Sequence, residues 1–319
     1  MKILITGVAG FIGFHLAQNL IKLREVKVFG IDNFDQYYSV KLKKKRIEIL
    51  KKEKNFFFEK IDITTPKLSK YLKNKNFDVI VHLAAQAGVR YSMINPEKYI
   101  NTNIIGFANL FENVNNKNLR KVIYASSSSV YGDTKNFPTK EKNITSPNNI
   151  YGYSKVINEQ MSKYYSKKIK APFIGLRFFT VYGVWGRPDM FILKILNNHF
   201  KKKLFYLNNN GNHLRDFTSI NDVVKILIKI IFKKAKKNNI YNICSNKPFL
   251  IRDVLSKIEK KIGKIKIKNI NRNSADVLNT HGNNRKVLKE YNSFEFSKFS
   301  TELEKIINWF QEIKSKNYF

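Results

Sequence analysis

Short apolar runs alternate with longer amphipathic segments along the first part of the chain. The run KILIT at residues 2–6 is a predicted strand, and apolar residues then recur at helical spacing from Phe11 to Leu23. Further predicted strands lie at residues 26–31, 56–60, 79–83, 122–125 and 173–176. Strands that alternate with helices predict an α/β fold with a doubly wound parallel sheet, in which ligands bind beyond the carboxyl ends of the strands.

The alternation of predicted strands and helices becomes irregular after about Tyr182, where loops are predicted instead. A later helical segment and strand, within residues 221–243, indicate that the chain returns to the sheet. We therefore expect residues 1–180, rejoined at about 216–245, to form a Rossmann-type domain that binds a dinucleotide. A smaller C-terminal α/β lobe, which would bind the substrate, is expected from residues 181–215 and 246–319.

The charge balance is the most conspicuous bulk property. Of 319 residues, 59 are Lys or Arg and 24 are Asp or Glu, so the formal net charge is +35. Such an excess can indicate a nucleic-acid partner. The densest basic run, Lys41 to Lys54, is however interleaved with Leu42, Ile47 and Leu50 at near-helical spacing, which predicts a solvated helix face. We expect no nucleic-acid partner, and a positive field that attracts an anionic substrate.

Cysteine content and hydropathy predict the cellular compartment of the protein. Cys244 is the single cysteine, which excludes an internal disulfide and is typical of a reducing cytosol. The N-terminus, MKILITGVAG, lacks the apolar core of a signal peptide, and no run reaches the 18 apolar residues of a membrane span. A cytoplasmic protein without a membrane partner is predicted.

The segment YGYSK at residues 151–155 begins an apolar-periodic stretch and places Tyr151 and Lys155 four residues apart. On a helix the two side chains share one face. A nearby ammonium favours the phenolate form, so the pair is expected to lower the pKa of the phenol and to act as a proton acceptor at neutral pH.

The glycines Gly7, Gly10 and Gly13 follow a predicted strand and open a predicted helix, which is the setting of a dinucleotide-binding turn. Asp32 ends the second strand, 19 residues after Gly13, where a carboxylate accepts hydrogen bonds from ribose hydroxyls and repels a 2′-phosphate. The prediction is therefore NAD rather than NADP. Asp62 and Ile63, after the third strand, are placed to meet the adenine.

Six motifs together resemble the extended short-chain dehydrogenase/reductase family, and within it the NAD-dependent nucleotide-sugar epimerases of the UDP-glucuronate 4-epimerase type. In chain order they are TGVAGFIG at 6–13, HLAAQAGVRYS at 82–92, YASSSSVYG at 124–132, YGYSK at 151–155, FFTVYGVWGRPDMF at 178–191 and RDFTSINDVV at 215–224. The resemblance implies bound NAD, and it extends the cofactor-binding set by Phe11, Ile12, Asn33, Leu83, Ala84, Ala85, Gln86 and Asn103, with Tyr151 and Lys155.

The resemblance also implies a catalytic set of Ser127, Tyr151 and Lys155. Tyr151 would take the proton of the sugar 4-hydroxyl as hydride leaves C4, Ser127 would hydrogen-bond that hydroxyl, and Lys155 would hold the nicotinamide ribose. The 4-ketose then turns and receives the hydride on its other face. Relatives that dehydrate or decarboxylate the sugar place an acidic residue before VYG, where this chain has Ser128 and Ser129.

A uronate oxidised at C4 is a β-keto acid and loses carbon dioxide readily. An epimerase for such a substrate must therefore bind the carboxylate firmly to prevent decarboxylation. The resemblance assigns this role to Ser128, Ser129, Thr180 and Arg187, because hydroxyls and a guanidinium suit a carboxylate. The alternative for Arg187 is a side chain that packs the smaller lobe. Arg90 is placed near the sugar.

Arg215 matches the residue that binds the substrate pyrophosphate. Relatives carry a PGDV-type segment where this chain reads NSADV at 273–277. Asp276 is retained as a substrate-side residue. The second phosphate contact is left between Arg272 and Asn273.

The leading interpretation is a UDP-glucuronate 4-epimerase that makes UDP-galacturonate and assembles, as the family does, as a homodimer. The alternatives are a 4-epimerase of UDP-glucose or UDP-N-acetylglucosamine, a nucleotide-sugar decarboxylase or dehydratase, and, from another class, a non-catalytic NAD-sensing or RNA-binding protein. The histidines show no metal-binding spacing, so no metal is predicted.

Overall fold

The structure is a computed structural model that describes residues 1–73, 75–115, 118–292, 294–316 and 318. Its strands are β1 (Lys2–Thr6), β2 (Lys27–Asp32), β3 (Phe56–Lys60), β4 (Val79–His82), β5 (Lys121–Ser127), β6 (Phe173–Phe178), β7 (Thr180–Tyr182), β8 (Phe205–Asn208), β9 (Leu214–Ser219), β10 (Asn239–Ile243), β11 (Pro248–Leu250) and β12 (Ile267–Ile270).

The helices are α1 (Phe11–Leu20), α2 (Val40–Leu50), α3 (Pro66–Leu72), α4 (Val89–Ile94), α5 (Pro96–Tyr99), α6 (Gly106–Glu112), α7 (Ile150–Ile169), α8 (Phe191–Phe200), α9 (Ile220–Phe232), α10 (Ile251–Ile262), α11 (Arg285–Tyr291) and α12 (Phe299–Ile313). A π-helical turn, Ile100–Ile105, joins α5 to α6. Among the described helices, none combines the length and the apolarity that a membrane crossing requires.

Seven strands form one parallel sheet in the order β10-β6-β5-β4-β1-β2-β3. The order reverses at β1, which lies between β2 and β4, and such a reversal opens a ligand crevice beyond the carboxyl ends of the strands. The predicted α/β fold with a doubly wound parallel sheet is confirmed. The first helix ends at Leu20, three residues before the predicted end.

The central strand shows why these apolar runs form a buried sheet. Ile3 and Ile5 pack into the cluster on one face, and Leu4 packs into the cluster on the other. Both faces of a parallel sheet are covered by helices, so a central strand is apolar at every position.

After β6 the chain builds two small sheets, ordered β11-β9-β7 and β12-β8. Their apolar faces, with α8, α10 and α12, surround a separate cluster that includes Leu196, Phe217 and Phe310. Strand β10 returns to the large sheet by pairing with β6.

Part of the basic face of α2 is buried, whereas the sequence predicted that this face is solvated. Leu42, Ile47 and Leu50 are buried as the spacing indicated, but Lys43 is only 6% exposed and Arg46 is fully buried. The interpretation of a solvated face is therefore wrong for these two cations, because α2 packs against the glycine turn and the loop after β7, where backbone carbonyls accept the Arg46 hydrogen bonds.

Candidate functional site

A cavity of about 630 Å³ lies at the carboxyl ends of the parallel strands and reaches the small sheets. Its volume is in the range of small-molecule sites, roughly 300–1,000 Å³. The sequence-predicted residues that line it are Gly7, Gly10, Phe11, Ile12, Gly13, Asp32, Asn33, Ile63, Leu83, Ala84, Ala85, Gln86, Arg90, Ser127, Ser128, Ser129, Tyr151, Lys155, Thr180, Arg187, Arg215 and Asp276.

The start of α7 presents Tyr151 and Lys155 to this cavity. The Asn149 side chain caps the helix by accepting a hydrogen bond from the Gly152 amide at 2.9 Å, which fixes the first turn. Lys155 follows one turn later, with Nζ 5.9 Å from the centre of the Tyr151 ring. The predicted helical placement of the pair is confirmed.

The electrostatics of this pair differ from the sequence prediction. Burial raises the pKa of the Tyr151 phenol, while a hydrogen bond with Ser127 and the charge of Arg187 oppose that rise. Burial also lowers the pKa of the Lys155 ammonium to about 8. In the protein alone the pKa of the Tyr151 phenol is thus raised rather than lowered, because desolvation outweighs the Ser127 hydrogen bond and the Arg187 charge. The role of Lys155 in making the phenol acidic stays a prediction.

The glycine turn between β1 and α1 is tightly packed. Gly7 has φ +71°, in the left-handed region that favours glycine, and a Cβ on Gly13 would lie 2.4 Å from the Gly7 carbonyl oxygen. Asp32, at the end of β2, accepts hydrogen bonds from the amides of Ala9 (3.0 Å) and Phe34 (2.8 Å). The turn and this carboxylate are therefore held together.

Two predicted cofactor residues, Asp62 and Asn103, do not line the cavity. Asp62 accepts hydrogen bonds from Asn33 (2.8 Å) and from the amide and hydroxyl of Thr64. Asn103 is 1% exposed, and its side chain accepts from the Gln86 amide at 2.7 Å and donates to the Gln86 carbonyl at 3.1 Å. Both residues thus position neighbours of the cavity.

The neighbourhood of Arg187 contains two residues that the sequence interpretation missed. The Arg187 guanidinium forms a two-point ion pair with Asp189, and the Tyr37 hydroxyl donates to the same carboxylate at 3.1 Å. Asp189 raises the pKa of Arg187 further above its usual range. Asp189 belongs to the GRPDM motif, which is a sequence signal for its role, whereas Tyr37 lies in a loop without periodicity and has no such signal.

Arg90 and Asp276 form an ion pair between the first turn of α4 and the segment that joins β12 to α11, with Nη2 and Oδ2 2.6 Å apart. Arg215 donates to the carbonyls of Leu214, Val277 and Leu278. Burial lowers its pKa to about 10.

Arg272 pairs with Asp133 and donates to the Asp276 carbonyl. Asn273 accepts from the Ala275 amide at 2.9 Å, so both candidates for the second phosphate contact have partners within the chain.

Histidines pack the cofactor half of the molecule. His82 accepts or donates a hydrogen bond with Thr6 at 2.8 Å, and His15 Nε2 donates to the Val184 carbonyl at 2.8 Å. Burial lowers the pKa of His15 to about 4 and that of His82 to about 3, so both rings are neutral. Among the described residues, no group of three or more His, Cys, Asp or Glu side chains has a metal-binding arrangement.

The model of the NAD dependent epimerase/dehydratase family matches residues 3–244. The chain is 39% identical to the protein CapI of Staphylococcus aureus, over 99% of this chain and 100% of that protein. It is 34% identical to UDP-glucuronate 4-epimerase 2 of Arabidopsis thaliana, over 97% of this chain and 76% of that protein.

A solved structure of UDP-glucuronic acid 4-epimerase from Bacillus cereus, in complex with UDP-glucuronic acid and NAD, superimposes with a TM-score of 0.92 at 32% identity, covering 98% of this chain and 100% of that one.

Proposed function

The chain belongs to the NAD dependent epimerase/dehydratase family, and we propose that it is an NAD-dependent 4-epimerase that converts UDP-glucuronate to UDP-galacturonate. The observation that carries the proposal is that one cavity holds the Ser127, Tyr151 and Lys155 set together with the glycine turn and the Ser128, Ser129, Thr180 and Arg187 group. The resemblance to nucleotide-sugar epimerases that the motifs indicated is confirmed by the family match and by the relatives.

The residues of the cofactor side fit NAD. The glycine turn brings amide groups of the α1 N-terminus to the cavity, where they suit a pyrophosphate. Gln86 Nε2 is buried without a hydrogen-bond partner, and the Lys155 ammonium lines the cavity with no ion-pair partner among the described residues. These unused donors suit the ribose hydroxyls and carboxamide of the dinucleotide. Bound NAD supplies a hydride acceptor at C4 of the sugar and later returns that hydride.

The chain's own groups manage the proton. Tyr151 accepts the proton of the sugar 4-hydroxyl when the hydroxyl becomes a ketone, and it returns the proton after the opposite face has been reduced. Ser127, at the end of β5, orients the same oxygen. Burial raises the Tyr151 pKa in the protein alone, and the positive charges of Lys155 and of bound oxidised NAD would favour the phenolate.

The segment Ser128–Tyr131, the start of β7 and the loop after β7 supply the groups that suit a uronate carboxylate. We propose that the hydroxyls of Ser128, Ser129 and Thr180, together with the Arg187 guanidinium, donate hydrogen bonds to this carboxylate and hold it out of alignment with the ketone. No acidic side chain stands at 128 or 129 to assist chemistry at C5 or C6, which supports epimerisation over dehydration.

We propose that Arg215 supplies charge to the pyrophosphate. Its guanidinium is partly used by three carbonyls, so it acts as a fixed cation. We propose that Arg272, which is paired with Asp133 in the protein alone, leaves that partner and makes the second phosphate contact, rather than Asn273.

One observation favours the alternative of a neutral sugar. Asp189 already neutralises Arg187, as it would if the sugar carried no carboxylate. The two candidates differ in whether a substrate anion displaces Asp189.

The test is to incubate the purified protein with UDP-glucuronate, UDP-glucose and UDP-N-acetylglucosamine in separate reactions and to identify the products by NMR. We expect UDP-galacturonate from the first reaction without any UDP-pentose. Turnover restricted to the neutral sugars would contradict the proposal, and a UDP-pentose as the main product would identify a decarboxylase.

We further propose that the enzyme is a cytoplasmic homodimer. Exposed apolar side chains lie on α4, the π-helical turn and α7, and α7 contacts both of the other elements. They are Met93, Ile94, Ile100, Ile105, Tyr153, Ile157 and Tyr164. A patch of this kind supports an isologous interface.

Light scattering after size exclusion checks the assembly. Ile94, 75% exposed, is changed to Glu, and Tyr206, 53% exposed on the smaller lobe, is changed to Glu as the control. We expect a dimer for the control and a monomer for the Ile94 variant. A native monomer, or a dimer that tolerates Ile94→Glu, would contradict the proposed interface.

A further inference from the structure

Arg46 joins two loops that are far apart in the sequence. It lies on α2 and is fully buried, although Lys44 beside it is exposed. Its Nη1 donates to the Ala9 carbonyl at 2.7 Å and its Nη2 donates to the Trp185 carbonyl at 2.6 Å. Two further bonds reach the Tyr38 hydroxyl and the Gly186 carbonyl, both at 3.0 Å. One side chain therefore holds both loops.

The first loop is the glycine turn. The Ala9 amide donates to Asp32 and the Ala9 carbonyl accepts from Arg46, so the residue is held on both sides. The amides of this turn suit the dinucleotide pyrophosphate. The orientation of these amides thus depends on the position of Arg46.

The second loop leads directly into Arg187. Trp185 has φ +54°, a left-handed conformation that is unusual for a bulky residue and persists only when its surroundings hold it. Three hydrogen bonds restrain this loop. Arg46 donates two of them, to the Trp185 and Gly186 carbonyls, and His15 donates the third to the Val184 carbonyl.

The contacts explain why this position carries an arginine. A guanidinium presents several donors in a rigid planar fork, whereas a lysine ammonium is a single point on a flexible stem. Among the described residues Arg46 forms no ion pair with a carboxylate, so its hydrogen bonds to carbonyls are its principal direct interactions.

We propose that Arg46 is a positioning residue that ties the NAD-binding turn to the loop bearing Arg187, so that the cofactor and the sugar carboxylate are bound in a fixed mutual arrangement. This inference rests on the proposed function, because it takes these loops to hold NAD and an acidic sugar nucleotide.

The experiment compares Arg46→Met and Arg46→Lys with the control Lys44→Met, which alters an exposed cation of the same helix. Each is made in the full chain in a Trp309→Phe background, so that Trp185 is the single tryptophan. Three quantities are measured: NAD affinity, acrylamide quenching of Trp185, and the ratio of UDP-glucuronate affinity to UDP affinity.

We expect both Arg46 variants to bind NAD roughly ten-fold more weakly, as the loss of a charged donor implies, and to show increased quenching of Trp185. The preference for UDP-glucuronate over UDP should fall by a similar factor, and the control should match the parent. A change in only one loop, or lower thermal stability with both loops unaffected, would overturn the inference. A parent protein that does not prefer UDP-glucuronate would instead contradict the proposed function, and the first two measurements would still decide the role of Arg46.

Discussion

The two sides of the cavity treat charge in opposite ways. On the proposed cofactor side, defined by the glycine turn, Gln86 and Lys155, the buried Lys155 ammonium has no ion-pair partner among the described residues. On the proposed substrate side, the cations are paired, Arg187 with Asp189 and Arg90 with Asp276, although His213 Nδ1 and Asn208 Oδ1, like Gln86 Nε2 on the other side, lack hydrogen-bond partners. A bound cofactor would therefore give the Lys155 ammonium a polar partner, whereas a bound substrate would exchange one partner of each arginine for another.

The difference indicates how each ligand is retained. Unpaired buried donors are costly in the protein alone, so a cofactor that satisfies them is held tightly and can stay through many turnovers. Exchange of ion-pair partners is nearly balanced, which suits a substrate and product that must leave in every cycle.

The strongest test of the cofactor side is Tyr151→Phe. We expect kcat to fall by about 10²- to 10⁴-fold, because the variant lacks the proton acceptor, while the affinities for NAD and for UDP-glucuronate stay within two-fold. Tyr153→Phe, on the exposed face of the same helix, is the matched control and should retain full activity. Equal losses in the two variants would mean that Tyr151 has no special role in proton transfer.

Lys155→Met tests whether the buried ammonium lowers the free energy of unfolding of the NAD-free protein. The folded-state pKa is about 8 and the unfolded value about 10.5, so the charged form is disfavoured in the fold. Between pH 8 and pH 10.5 the unfolded state binds more protons than the folded state, so the free energy of unfolding rises with pH in this range. Below pH 8 the ammonium is charged in both states, and the full destabilisation is present. We expect the NAD-free variant to be more stable by about 2 to 3 kcal/mol at pH 7, by denaturant unfolding, with a gap that narrows above pH 8.

NAD binding in the Lys155 variant should be nearly lost. Lys163→Met, which removes an exposed cation from the same helix, is the control for both measurements. A variant less stable than the parent at pH 7 would show that Lys155 has a stabilising partner.

Arg187→Ala tests the exchange on the substrate side. We expect turnover of UDP-glucuronate, as kcat/KM, to fall by roughly 10- to 50-fold, as for loss of a charge-assisted contact, with little change for UDP-glucose. The same loss on both sugars would indicate that Arg187 only packs the lobe.

Asp189→Asn is expected to have the smallest effect. It releases Arg187 from its ion pair, so the affinity for UDP-glucuronate should rise by about two- to five-fold, measured by titration calorimetry. Unchanged affinity would show that the substrate carboxylate does not compete with Asp189. Asp253→Asn, at the start of α10, is a matched control.

Much of the fold was predictable from local patterns. Continuous apolar runs such as KILIT are typical of strands that are buried on both faces, and they appear in the sheet where predicted. The glycine turn and the helix of Tyr151 were likewise visible, because each depends on residues close together in the sequence.

Other features depend on contacts between distant residues and were not predictable. Arg46 could not be distinguished from the exposed lysines beside it, because its partners are carbonyls of Ala9 and of residues 185–186. The effect of burial on the Tyr151 pKa similarly requires the packing of the whole site.

The ion pair between Arg90 and Asp276 affects how substrate binding depends on ionic strength. If a substrate anion replaces Asp276 at Arg90, the number of close opposite-charge contacts is the same before and after binding. Added salt screens both arrangements, so most of its effect cancels. The exchange at Arg90 should therefore add little to the salt dependence of the equilibrium affinity, and the remaining dependence comes from the long-range field of the +35 formal charge. The rate of encounter, which depends on the long-range field, should fall steeply.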